Sequence, residues 1–503
     1  MAELADTLRR RPELLLLLLA GYFLLQIAVR LALPAAVELD EGQQLFYMQH
    51  LAAGYDTQPP FYNWLQYGVG RIFGPTVLSL TLLKNAMLFA AYAFYAGAAG
   101  LVLKDRGLAI VATLGLLTIP QVSFEAQRDL SHTVALIFAT SLFLFAFLRT
   151  LQRPTAAGYL LTGVAAGIGV ISKYNFALLP AAAAIAALCD PVLRRRVLDP
   201  RILLTAAAGA AVVLPHGLWF LDNIAAATED TIGKMTTAAA QTTRLGQIAT
   251  GLGSLALALA GFSALTLVLF LAMFGRDMPA ALKAQSRWTR LVERMVLVIV
   301  VALAGLVLFA GASYIKDRWL TCFLLVLPLY LCLKLEAAGV ESGRGLVRSL
   351  AISAAIAVLV AGVLAARPPL AALTGKYQKL NVPYGPAIEA ILAANPGPPA
   401  VVVVDETQLA GAVRLHADVP VVIPRLAGLA EPDSWDAARP VLLLWRGAGE
   451  PTPLPAELKH WLDSRPELAD LPFDIRGIAL PYHYGRKGDL YSFQYVWLQP
   501  PAP

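Results

Sequence analysis

Of 503 residues, 58% are hydrophobic and only 15% charged, with a net charge of +6 and a mean hydropathy of +0.62. Soluble globular chains are about one quarter charged, so a purely soluble enzyme is excluded. Continuous apolar runs also exclude a transmembrane barrel, whose strands alternate apolar and polar over about 10 residues, and the Lys and Arg excess is what cytoplasmic loops collect for topological reasons, which leaves no case for a nucleic-acid partner.

A helix needs about 20 mostly apolar residues to cross a bilayer core about 30 Å thick. In chain order, such runs fall near residues 13–33, 77–102, 107–123, 131–148, 156–171, 175–190, 202–220, 247–274, 295–313, 319–335 and 349–366. That makes about eleven crossings, of which the short spans at 107–123 and 156–171 are expected to be tilted, broken or partly re-entrant. Arg9–Arg11, Lys104, Arg106, Arg149, Arg153, Arg194–Arg196, Arg201, the basic residues from Arg276 to Arg294, Lys334, Arg344 and Arg348 then share one side. The bias makes that side cytoplasmic, and an odd number of spans places residues 367–503 outside. A cleaved signal peptide is the competing reading of the first run, but Leu14–Leu33 is longer than the usual apolar region of about 7–15 residues. Asp40 lies outside either way.

Between the first two spans lies an outer loop, residues 35–76. Gln43–Leu51 and Tyr62–Ile72 are amphipathic and predict two short helices on the membrane surface. Isolated helices of this length are marginal and need something to pack against. After Arg367-Pro368-Pro369 the composition changes. Val401–Val404, the helical pattern Glu406–His416 and Val421–Ile423 read as a β-α-β unit, continued by Val441–Trp445, Pro455–Ser464 and Leu490–Leu498. Pro420 and Pro424 bracket the second strand, which must be short or at a sheet edge. The expected architecture is an all-α polytopic membrane domain over residues 1–366 with a small soluble α/β domain over 367–503.

The polar residues are one-sided. The outer loop opens with Glu38-Leu-Asp40-Glu41 just past the membrane exit, and three outer turns present Glu125, Arg128 and Asp129; Lys173 and Tyr174; and Lys316, Asp317 and Arg318. Each residue has a bland reading: Asp40 as a helix N-cap, the cations as interface anchors or salt-bridge partners. Together, cations suit a lipid phosphate, which Arg binds through paired hydrogen bonds, and they would stabilise a departing phosphate. A carboxylate on the other side would take the proton of an acceptor hydroxyl. One such displacement inverts the anomeric carbon. Cys189, Cys322 and Cys332 lie in apolar runs, so they form neither a disulfide framework nor a zinc-type pair, and the six histidines are scattered.

The acidic Glu38–Glu41 segment, Pro59-Pro60 with aromatics behind it, Arg128-Asp129 before an apolar helix, Lys173 ending a Gly-rich span and Lys316-Asp-Arg318 before a span with Pro328 resemble the protein O-mannosyltransferase-like superfamily. This superfamily includes bacterial transferases that put aminoarabinose or galacturonic acid on lipid A and the core. The resemblance covers residues 12–335 in order. It implies a C-type (GT-C) glycosyltransferase that uses a polyprenyl-phosphate sugar on the periplasmic side of the bacterial inner membrane, with Asp40 as base and Glu41 in support. Lys173, Tyr174, Arg318, Lys316, Arg128, Asp129, Gln58, Tyr62 and Lys84 are the candidate substrate-binding residues. Gln58 stands where many relatives carry His. The acceptor would be a hydroxyl or phosphate of a lipid or glycan such as lipid A or lipopolysaccharide core; a protein acceptor, or a lipid or solute transporter, are the alternatives. No cofactor is required by this reading. The acids could hold Mg²⁺ or Mn²⁺, though no ligand set of defined spacing is present.

Overall fold

The computed structural model describes residues 1–228, 233, 243–430, 439–447 and 452–499. Seven helices among them are long and apolar enough to cross a membrane: Leu14–Leu31, Val77–Val102, Ser131–Gln152, Ile202–Asp222, a run over Arg244–Lys283, Arg287–Ala310 and Gly343–Thr374. Two further apolar pairs are bent at a break, Arg106–Thr118 with Gln121–Arg128 by 71° and Asp317–Leu324 with Leu327–Ala337 by 45°. Ala156–Val170 and Tyr174–Leu188 are shorter apolar helices. The expected break near 107–123 is therefore present, and the architecture is a polytopic helical membrane protein with a small C-terminal sheet. The chain forms two compact units, the first of residues 1–24, 56–62 and 85–360, the second of residues 25–55, 63–84 and 361–503.

In the first unit, long helices pack on each other through small residues and leave Leu203, Leu257, Phe309 and Val358 on the exposed surface. That is the pattern of helices whose outer faces meet lipid. A Cβ on Gly163 would lie 2.2 Å from the carbonyl oxygen of Thr205, so the Ala156–Val170 and Ile202–Asp222 helices approach as closely as they do only because glycine is there. The loops on the basic side are fastened by polar contacts. Glu336 accepts from the backbone N–H groups of Lys104 and Asp105 at 2.6 and 2.9 Å, and the Asp105 carboxylate accepts from the Ser342 hydroxyl at 2.9 Å.

Among the described residues of the second unit, five strands form one sheet in the order β2-β1-β3-β5-β4: β1 Val401–Val404, β2 Val421–Val422, β3 Val441–Gly447, β4 Arg476–Pro481 and β5 Leu490–Leu498. β1 runs parallel to β2 and β3, whereas β5 is antiparallel to β3 and β4. Val402, Val404, Leu442 and Leu444 feed one core, and Val401, Val403, Leu443 and Trp445 a second on the opposite face. Burial on both faces explains why these strands read as unbroken apolar runs. The Pro-bracketed β2 is two residues long and lies at the sheet edge, as expected. β4 has no counterpart in the sequence reading because only Ile478 and Leu480 of its six residues turn inward, an alternation too short to stand out.

The sequence ends the last span at 366, but the helix continues through Pro368 and Pro369 to Thr374. The Asn381 side chain donates to the Pro368 carbonyl at 2.9 Å, so that group keeps a partner there. The two outer-loop helices form as Leu39–Tyr47 and Phe61–Phe73. The packing that Leu39–Tyr47 needs comes from the C-terminal region: Leu45, Phe46 and Tyr47 share one core with Leu409, Ala412 and Val413 of the Thr407–His416 helix.

Candidate active site

In the second unit, the Leu39–Tyr47 helix carries the acidic pair. Its N-cap is Glu38, and the Glu41 carboxylate completes a capping box by accepting from the Glu38 N–H at 3.1 Å. Asp40 is therefore not the cap; it is the second residue of the helix and is half-buried. Glu41 is 1% exposed and clamped by Arg30, whose Nε and Nη2 reach its two oxygens at 3.0 and 2.8 Å. Lys84 Nζ lies 3.6 Å away. Burial alone would raise the Glu41 pKa, but the charges of Arg30 and Lys84 outweigh it and hold the carboxyl down to about 2. So tightly held an anion is a poor base. Glu41 orders the first turn of the helix, and Lys84, expected among the substrate-binding cations, forms an ion pair with it. Gln44 donates to Asn63 at 2.8 Å, and both are buried with Gln66.

Because the folded pKa of Glu41 lies below its ordinary value, its contribution to stability is present above about pH 4.5 and is lost as pH falls toward 2. A shift of this size corresponds to on the order of 3 kcal/mol. Glu41→Gln is expected to lower the unfolding temperature at neutral pH and to flatten the acid limb of stability below pH 4.5. Thermal unfolding of the detergent-solubilised protein across that range checks both.

In the first unit, hydrogen bonds join the three cation-bearing turns. Gln121 donates to the Asp317 carboxylate at 2.8 Å, linking the first turn to the third. Asn175 donates to the Trp319 carbonyl at 2.9 Å, linking the second to the third. Phe61 N–H donates to the Ile171 carbonyl at 3.0 Å, which brings the Pro59-Pro60 segment to the second turn. Lys173, Lys316 and Arg318 are half-buried. Lys316 lies over the Tyr314 ring at 5.8 Å. Arg128 pairs with Glu125 at 2.7 Å.

Local backbone in this unit is unusual where Arg128 and Asp129 lie. Gln121–Glu125 is a π-helical turn, a feature found often at functional sites. Asp129 is buried, and the next residue, Leu130, has a left-handed φ of 62°, a conformation a branched side chain adopts only at a cost. Tyr62 is buried, with its ring 6.2 Å from that of His132. The Tyr174 hydroxyl is 3.0 Å from His216 Nε2, and its ring stacks on the same imidazole, with Trp219 and Phe220 beside it. Gln58 is half-buried beside the buried Pro59-Pro60 pair. Among the described residues no three His, Cys, Asp or Glu side chains are grouped as a metal ion would need.

The whole chain aligns with curated relatives. It is 44% identical over 510 residues to the lipopolysaccharide core galacturonosyltransferase RgtB of Rhizobium johnstonii, covering 99% of this chain and 100% of that one. The chain belongs to the lipopolysaccharide core galacturonosyltransferase family. It is also 45% identical over 489 residues to RgtA, a transferase of the same description from the same organism, covering 96% of this chain and 97% of that one. Residues 57–219 match the dolichyl-phosphate-mannose-protein mannosyltransferase family, as the resemblance implies. The fold is similar to that of ArnT from Cupriavidus metallidurans bound to undecaprenyl phosphate, with a TM-score of 0.59 at 13% identity over 95% of this chain and 97% of that one.

Within this family member, sequence reasoning missed Arg30, Asn63, His132 and His216. Arg30 was a visible signal: a lone cation interrupting an apolar run, eleven residues before Glu41, is costly unless it has a partner. The other three carry no such mark.

Proposed function

We propose that the protein is an inverting galacturonosyltransferase that moves galacturonic acid from a polyprenyl-phosphate donor to a hydroxyl of the lipopolysaccharide core. It acts on the periplasmic face of the inner membrane, with eleven spans and the C-terminal sheet on that side. The full-length identity of 44% to a lipopolysaccharide core galacturonosyltransferase carries this reading. The undecaprenyl phosphate held by the similarly folded ArnT supports the donor class.

In the reaction Asp40 takes the proton from the acceptor hydroxyl as that oxygen attacks the anomeric carbon. The bond from that carbon to the phosphate oxygen breaks, and the electron pair leaves with the lipid phosphate. Lys173 and Arg318, with Lys316 and Arg128, hold the phosphate and offset the charge that develops on it. Asp129, Tyr62, Tyr174 and Gln58 contact the sugar or donor, and Glu41 keeps Asp40's helix formed.

Mass spectrometry of lipopolysaccharide core from cells with and without the gene tests the reading. Loss of one hexuronic acid residue from the core on deletion, restored by the intact gene, is expected. An unchanged core with an altered glycoprotein would favour a protein acceptor instead.

A further inference from the structure

The Thr407–His416 helix meets the Asp40-bearing helix at backbone distance. A Cβ on Gly411 would lie 2.0 Å from the Gly42 carbonyl oxygen, and one on Gly42 would lie 2.7 Å from the Cα of Gln408. Neither helix can carry a side chain at the crossing without the two moving apart. Gln408 is 1% exposed and both ends of its amide are engaged: Nε2 donates to the Val37 carbonyl at 2.6 Å, and Oε1 accepts from Arg446 Nη2 at 2.6 Å. Arg446 is fixed in turn by Glu406 and by the Tyr384 hydroxyl at 2.8 Å.

Two more ties hold the same segment at its ends. His416 Nε2 lies 2.8 Å from the Ala35 carbonyl. The Gln49 amide bonds both backbone groups of Val421 on the edge strand β2, donating at 3.2 Å and accepting at 3.0 Å. Residues 35–49, with Asp40 among them, are thus fastened at Ala35, Val37, Gly42 and Gln49. A helix this short has little stability of its own, so its place is set by what grips it.

We propose that the C-terminal domain is a positioning device for the catalytic base, with Gln408 and Gly411 as positioning residues that fix Asp40 through the Leu39–Tyr47 helix. This rests on the reading of Asp40 as the base. A displacement of about 1 Å at a reacting group can cost about 10²-fold in rate, and adding a methyl at Gly411 demands a movement of that order. Gly411→Ala is therefore expected to lower kcat about 10²-fold while undecaprenyl phosphate still binds stoichiometrically and with unchanged affinity. Gly397→Ala, where an added Cβ meets nothing within 4 Å, should leave kcat unchanged.

The test is a double-mutant cycle with Asp40→Asn, reading kcat per lipid-binding-competent protein in detergent. If Gly411 acts through Asp40, adding Gly411→Ala to Asp40→Asn costs no more than about twofold further, because residues acting as one unit are non-additive. Full additivity, or a Gly411→Ala enzyme with normal kcat, overturns the positioning role. An Asp40→Asn enzyme of normal rate instead overturns the base reading beneath it, so the two failures are told apart. Gln408→Met, which keeps the shape and removes both hydrogen bonds, runs the same cycle and replaces Gly411→Ala should that variant not fold.

Discussion

Asp40→Asn is expected to lose about 10²–10⁴-fold in turnover, the contribution of a general base, while the protein folds and still binds donor lipid. The amide keeps the size of the carboxylate but cannot accept the acceptor's proton. Folding should survive because the helix start does not depend on Asp40: Glu38 is the cap, and Glu41, clamped by Arg30 and Lys84, closes the capping box. The capping explanation of Asp40 therefore has no support in this geometry. Steady-state transfer in membranes holding equal amounts of protein checks the prediction, and near-normal turnover would remove Asp40 from the mechanism. Glu41→Gln should differ in kind. Its loss removes the anion that faces Arg30 and Lys84, and breaking a buried ion pair costs about 3–5 kcal/mol, so its defect should be seen first in stability.

Lys173→Ala and Arg318→Ala are expected to weaken binding of undecaprenyl phosphate by about 10- to 10²-fold each, the equivalent of one lost hydrogen bond to a charged group of about 1.5–3 kcal/mol. Turnover should fall as well if the same cations offset the charge on the departing phosphate, as proposed. Arg318→Lys should recover only part of the affinity, because an ammonium cannot reproduce the two-pronged contact of guanidinium with phosphate. Arg128→Ala should cost less, since its guanidinium already faces Glu125 at 2.7 Å. Titration of the purified variants with undecaprenyl phosphate measures each term. Unchanged affinity in both Ala variants would return Lys173 and Arg318 to the role of interface anchors.

Much of this was legible in the sequence because it rests on local pattern. Apolar length gives the long helices, and the amphipathic runs after Gln43 and Tyr62 give the two outer-loop helices within a few residues. The β-α-β unit shows because Val401–Val404 is apolar on both faces. What sequence could not show is what joins distant segments. Gly42 and Gly411 are two unremarkable glycines until their backbones meet, and nothing local marks Gln408 as the partner of Val37. Lys84 looked like a substrate cation because its tie to Glu41 depends on tertiary packing. Leu130 gave no hint of a left-handed conformation, which Leu seldom adopts.

The central claim, sugar transfer from a lipid-phosphate donor, is tested most directly by reconstitution. The purified protein in liposomes, given polyprenyl-phosphate galacturonate and lipopolysaccharide core lacking the modification, with no nucleotide and no ion gradient, is expected to release polyprenyl phosphate and form galacturonosylated core in equal amounts. The new glycosidic bond should have the configuration opposite to that of the donor. Donor lipid crossing the bilayer with no sugar transferred would contradict the account and leave a transporter in its place.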